Sequence, residues 1–157
     1  MTEKNITTKI VVSSYNELND DEKKLVDLAK EATKNSYAPY SNFNVGAALQ
    51  LENGVLIKGA NQENAAFSTT ICAERSALFN AGANYPGVGI KRLAVTAYTC
   101  GAFLEEPCAP CGECRQAMIE FEKQAGYPME VYLVGAEKIY VLSSASDLLP
   151  LTFVDFK

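Results

Sequence analysis

Two of the helices predicted in this chain open on a cysteine, and the chain has no histidine. Cys72-Ala73-Glu74 starts one helix and Pro110-Cys111-Gly112-Glu113-Cys114 starts another. A thiolate at a helix start meets unpaired backbone N–H groups and the positive end of the helix dipole. Both lower its pKa and favour the form that binds metal. Cys111 and Cys114 stand at i and i+3 and so share a helix face. Cys72 and Glu74 stand at i and i+2, which an ideal helix would splay apart, so their convergence requires Cys72 at a non-helical cap. Three thiolates on one tetrahedral zinc would tie the two helix starts together and leave one position for water, the open pattern of a catalytic zinc.

Without histidine there is no Ser-His or Cys-His catalysis, no HExxH site and no His-ligated metal. A general acid or base must be Glu, Asp, Lys, Tyr, Cys or a bound water. Glu74, in the first turn after Cys72, is the candidate proton shuttle. Four of the five cysteines fall between 100 and 114. Such clustering in a cytosolic chain points to metal rather than disulfides. The pattern P-C-x-x-C occurs in two frames, Pro107 to Cys111 and Pro110 to Cys114. The second is preferred, because Pro110 suits a helix start and Cys111 runs on into an amphipathic helix. Cys108 is then a free thiol in the preceding loop. Zinc with three thiolates carries a net charge of −1, which calls for a cationic partner. Arg75 and Arg115 directly follow Glu74 and Cys114, and we read both as donors to the thiolates or to acidic groups beside them. Read from these residues alone, a structural zinc whose fourth position is closed by Glu74 or another group stands as the alternative.

The 157 residues are 48% hydrophobic and 21% charged, the composition of one globular domain. A net charge of −5, three arginines and no basic stretch argue against a nucleic-acid partner. No apolar run approaches membrane-spanning length, so no membrane segment is expected. Met1–Asn16 has no long apolar stretch either, so no signal peptide is expected and the location is read as cytoplasmic.

Along the chain, residues 1–14 read as a partly ordered arm, mildly strand-like at Lys9–Val12, before a domain spanning 15–157. Asn19 or Asp20 caps a helix whose apolar face is Leu25, Leu28, Ala29 and Ala32, stopping near Asn35. Residues 45–51 and 55–60 are strands joined at the turn signal Asn53-Gly54. Asn61–Thr70 is a polar loop. Helices are expected from Cys72 to about Ala81 and from Cys111 to Gly126, with strands at 93–99, 129–134 and 138–142 and a last helical turn near 144–149. Strands alternating with helices predict a sheet covered on both faces.

With these motifs in order, the chain resembles the small homotetrameric zinc cytidine deaminases over residues 20–153. The resemblance rests on Tyr37-Ala-Pro-Tyr-Ser-Asn-Phe43, Val45-Gly-Ala-Ala-Leu49, Asn61-Gln-Glu-Asn-Ala65, Cys72-Ala-Glu-Arg75, Pro110-Cys-Gly-Glu-Cys-Arg-Gln116 and Leu148-Leu-Pro-Leu-Thr-Phe153. It implies a single-domain three-layer α/β/α sandwich with a mixed five-stranded sheet. It implies hydrolysis of cytidine and 2′-deoxycytidine to the uridines with release of ammonia, in pyrimidine salvage. Zinc-bound water would be the nucleophile. Cys72, Cys111 and Cys114 would hold one Zn2+ per chain, and Glu74 would shuttle protons. Asn61 and Glu63 would bind the ribose, Phe43 would pack beside the nucleoside, and the Ala73 backbone would read the base with Glu74. Phe153 would stack on the cytosine of a neighbouring subunit in a homotetramer. Phe67 stands where many members carry Tyr. The tail bearing Phe153 and Phe156 is apolar and needs burial in its own core or in a partner.

Overall fold

In the computed structural model, which describes residues 1–154, one mixed sheet is packed between helices on both faces. Its strands are β1 (Val11–Ser14), β2 (Asn44–Leu51), β3 (Leu56–Ala60), β4 (Ile90–Thr99), β5 (Ala102–Phe103), β6 (Glu130–Val134) and β7 (Lys138–Leu142). The helices are α1 (Asp20–Ala32), α2 (Ala73–Asn84) and α3 (Gly112–Ala125). Strand order is β1-β7-β6-β4-β2-β3, with β5 attached to β4. Of these strands, β4 and β6 pair in parallel and the other neighbours pair antiparallel.

The expected layers and element order are present, but the sheet has seven strands rather than five. Both extra strands come from segments whose pairing depends on distant partners. Val11–Ser14 lies against β7, where it satisfies a sheet edge that would otherwise present unpaired N–H and C=O groups. The arm therefore enters the sheet, with no break at residue 14. Cys100 and Gly101 both have positive φ, and this tight turn folds Ala102–Phe103 back onto Tyr98–Thr99. Phe156 lies outside the described residues.

Local chemistry explains most element ends. Asn19 accepts from the backbone N–H groups of Asp21 and Glu22, while Glu22 reaches back to the Asn19 N–H, a complete capping box. Gly126 closes α3 in the left-handed conformation with φ 76°. At the β2–β3 turn, Gly54 has φ 86° and Asn53 Oδ1 accepts from Val55 N–H.

Period-two alternation divides the core. Ala47, Leu49, Leu93, Val95, Val131 and Leu133 face α2 and α3, while Ala48, Ala94, Tyr132 and Val134 face α1. Because β2 is antiparallel to both of its neighbours, β3 and β4 run the same way. The helices that follow them, α2 and α3, therefore start at the same edge of the sheet. That topology brings the two cysteine-bearing helix starts together.

Gly59 makes the approach of α2 possible. A Cβ there would lie 2.5 Å from the Ala73 carbonyl oxygen and 2.6 Å from the Ala77 nitrogen, both backbone atoms that cannot swing aside. Gly59→Ala is expected to destabilise the chain by about 2–3 kcal/mol, an overpacking cost. It should also weaken metal retention, because the displaced atoms belong to the turn that follows Cys72. Denaturant midpoint and metal content check this, and an unchanged midpoint would refute it.

Candidate metal centre and nucleoside site

Cys72 and Cys111 occupy the cap positions immediately before α2 and α3, both with extended backbone. The non-helical cap frees Cys72 from the splay that i, i+2 spacing imposes within a helix, so it turns back toward the buried Glu74. Cys114 lies one turn into α3 and is fully buried. The sulfurs of Cys72 and Cys111 are 3.8 Å apart and those of Cys111 and Cys114 are 3.5 Å apart. All three pairs fall within 4.8 Å. A tetrahedral zinc with bonds of about 2.3 Å requires sulfur separations of about 3.8 Å. The donor set thus fits zinc in kind and in spacing. Cys108 lies outside this group; burial and the nearby Glu74 charge push its thiol up to about 11.

Cys72 is held down at about 5, chiefly by a hydrogen bond from the Cys114 thiol, with Arg75 and Cys111 helping against the opposing effect of burial. The same bond, with burial, pushes Cys114 upward. Arg75 Nη2 donates to Cys72 Sγ at 3.7 Å, and its Nη1 is 2.9 Å from Glu113 in the first turn of α3. That arginine links the two helix starts, and Glu113 is its second anchor.

Arg115 behaves differently from the sequence reading. Among the described residues it reaches neither the thiolates nor an acid. Its Nε donates to the Pro110 carbonyl at 2.8 Å and its Nη1 to the Leu148 carbonyl at 2.8 Å. The side chain runs back along α3 and braces the loop before Cys111 against the C-terminal segment.

Glu74 is 4% exposed. Burial pushes its carboxyl above the ordinary range, its own backbone N–H opposes this, and the charge on Cys72 adds to the rise. A buried carboxyl whose protonated form is favoured in this way is suited to taking up and returning a proton. Ala73, fully buried, places its backbone in the first turn of α2 between Cys72 and Glu74.

The polar loop is built around two side chains. Asn61 Oδ1 accepts from Ser36 Oγ at 2.5 Å and from Val45 N–H at 2.8 Å, and its Nδ2 donates to the Phe43 carbonyl at 2.9 Å. Its amide therefore ties the start of β2 to the loop and leaves at most one hydrogen for a ligand. Glu63 Oε2 accepts from Tyr40 N–H at 2.9 Å and Ser41 N–H at 3.3 Å, while Oε1 accepts from the Ser41 hydroxyl. These bonds, the Ser41 hydroxyl first, hold Glu63 below its usual range as an ionised acceptor. Tyr40, Ser41, Glu63, Phe67 and Thr70 line an open depression of about 360 Å³. Phe43 is half-buried, and its carbonyl and N–H are both fixed, by Asn61 and by Ser41 Oγ. Phe153 stands apart on the outside of α3, 64% exposed.

Sequence reasoning missed Ser36, Ser41, Glu113 and Gln116. Ser36 immediately precedes the Tyr37–Phe43 motif and Ser41 lies within it, but nothing in the chain order says that they contact residues 61 and 63. Glu113 and Gln116 lie inside the second cysteine motif, where only the neighbouring element reveals what they hold.

Residues 19–128 match the family described as the cytidine and deoxycytidylate deaminase zinc-binding region. The cytidine deaminase of Sporosarcina psychrophila is 42% identical over 134 residues, covering 85% of this chain and 91% of that protein. That of Halalkalibacterium halodurans is 39% identical, covering 85% of this chain and 94% of its own length. The crystal structure of cytidine deaminase from Burkholderia pseudomallei superposes with a TM-score of 0.67 and 44% identity, over 83% of this chain and 97% of that one.

Proposed function

The chain belongs to the cytidine and deoxycytidylate deaminase zinc-binding family, and on that premise we propose that it hydrolyses cytidine and 2′-deoxycytidine to uridine and 2′-deoxyuridine, releasing ammonia, in pyrimidine salvage. The observation that carries this reading is the buried Glu74 set beside three sulfurs at zinc spacing. Cys72, Cys111 and Cys114 would hold the ion, which supplies Lewis acidity and makes water a usable nucleophile near neutral pH. Glu74 takes the proton of the attacking water on a carboxylate oxygen and passes it to N3 of the cytosine, which makes C4 more electrophilic. It then carries a second proton to the departing amine. Atoms balance: the C4–N bond breaks, a C4–O bond forms, and the amine leaves as ammonia.

The remaining side chains orient the nucleoside. Glu63, ionised and rigidly held, accepts from a ribose hydroxyl, and the last Asn61 amide hydrogen reaches the same sugar. Phe43 packs beside the nucleoside, and the Ala73 backbone reads the base. Phe153 closes the site of a neighbouring copy in a homotetramer. Phe79 (49% exposed) packs against Phe121 in an open depression that Gln116 also lines, and apolar side chains adjoining on a surface support such an assembly. No helix of the described residues is long and apolar enough to cross a membrane. A metal held by three reduced thiols suits the cytoplasm, where we place the protein.

The test is direct turnover by zinc-loaded protein of cytidine, 2′-deoxycytidine, cytidine monophosphate and a short cytosine-containing oligonucleotide. Conversion of the two nucleosides alone is the expected result. Conversion of the oligonucleotide would replace this reading with a polynucleotide deaminase. No conversion at one zinc per chain would overturn the proposed substrate.

A further inference from the structure

We propose that Gln116 is a positioning residue for Phe153, holding the aromatic in place for a neighbouring copy; this rests on the reading that Phe153 stacks on that copy's substrate. The Gln116 side chain grips both polar groups of the Phe153 backbone. Its Nε2 donates to the Phe153 carbonyl at 2.6 Å, and the Phe153 N–H donates to its Oε1 at 3.4 Å. One amide paired with the N–H and C=O of one residue does what a neighbouring strand does in a sheet. It fixes the orientation of that residue's backbone.

The clamp has support along the same helix. Arg115 holds the Leu148 carbonyl, and Lys123 Nζ donates to the Val154 carbonyl at 2.5 Å. Glu122 accepts from the Ser144 and Ser146 hydroxyls and from Ala145 N–H. Residues 115, 116, 122 and 123 repeat at a spacing of seven, so they lie along one side of α3. The tail is thus laid down on α3 by polar bonds at its start, before and after Phe153. Phe153 is 64% exposed. A backbone anchored to its own helix is preorganised: the segment's course is set before another copy meets it.

Gln116 also stands two residues beyond Cys114, so α3 carries two thiolates of its own centre at one end and the clamp for Phe153 in the next turn. In an assembly, that helix joins one copy's metal loop to the aromatic that serves another copy.

The experiment compares Phe153→Leu, Gln116→Met and the double variant with the parent protein. Readouts are KM and kcat for 2′-deoxycytidine, zinc per chain and the mass of the assembly. Leucine keeps apolar bulk for assembly but loses the aromatic face, and methionine keeps the length of glutamine but makes neither hydrogen bond. Phe153→Leu is expected to raise KM about tenfold, the loss of one base–aromatic stack. Gln116→Met should raise KM severalfold with kcat, zinc and mass unchanged, and should add little in the Phe153→Leu background, as residues acting as one unit do. If Gln116→Met leaves KM unchanged while Phe153→Leu raises it, the clamp is overturned and the stacking reading stands. A Gln116→Met effect that persists in full beside Phe153→Leu also overturns it, because Gln116 then acts by another route. If Phe153→Leu leaves KM unchanged, the stacking reading fails and the inference falls with it.

Discussion

Glu74→Gln is expected to lower turnover by about 10²–10⁴-fold, the usual contribution of a positioned acid–base group, while zinc content and thermal stability stay near those of the parent. The magnitude follows from what the residue is asked to do. It handles the water proton, the proton on N3 and the proton on the leaving amine, and the chain has no histidine to take over. The mildness elsewhere follows from its surroundings. Glu74 is 4% exposed in the first turn of α2, and glutamine fills the same volume without the cost of a buried charge. The rise in its carboxyl pKa comes first from that burial, so a neutral side chain is the form the site tolerates best. Single-turnover kinetics on the zinc-loaded variant, with metal counted per chain, make the check. Turnover within tenfold of the parent at full zinc would remove Glu74 from the proton path.

Replacing Cys111 or Cys114 by alanine is expected to empty the metal centre, with zinc per chain falling to near zero and activity falling with it. Cys108→Ala should retain both. The contrast tests the frame of the motif, since the two P-C-x-x-C readings share Cys111 and differ in Cys108 and Cys114. The sulfurs of Cys72, Cys111 and Cys114 already lie at separations a tetrahedral ion requires. A two-sulfur remnant loses a ligand that no other cysteine of the group can supply. Stability should follow the metal. Structural thiolate–zinc bonds form only in the folded chain, so binding energy becomes folding energy. Adding a strong chelator to the parent protein should therefore lower Tm, and should leave Tm of Cys114→Ala unchanged. Zinc retained by Cys114→Ala and lost by Cys108→Ala would move the ligand set to the earlier frame.

What the sequence alone determined is what depends on neighbours within a few positions. The capping box of Asn19 and Glu22, the stop at Gly126 and the Asn53-Gly54 turn are local hydrogen-bond and φ preferences, so each is legible in five or six letters. The placing of cysteines at helix starts, and the lack of histidine that assigns proton transfer to Glu74, are equally local. The order of motifs carried the family resemblance and with it the ligand set.

Tertiary structure decided how those pieces meet. That α2 and α3 begin at one edge follows from β2 lying between β3 and β4, a pairing no local pattern encodes. The two extra strands exist because β7 offered an unpaired edge and β4 runs on past its pairing with β6, to segments with only weak strand character of their own. Arg115 looked like a thiolate donor from its place beside Cys114, yet folding offered it two carbonyls, one in the loop before Cys111 and one at Leu148. Asn61, for which the resemblance implies a ribose contact, also ties Ser36, Phe43 and Val45 together through its amide, a second task that no local pattern announces. The common reason is that a polar side chain bonds to whatever donor or acceptor packing delivers, and packing is set by strand order and helix placement across the whole chain.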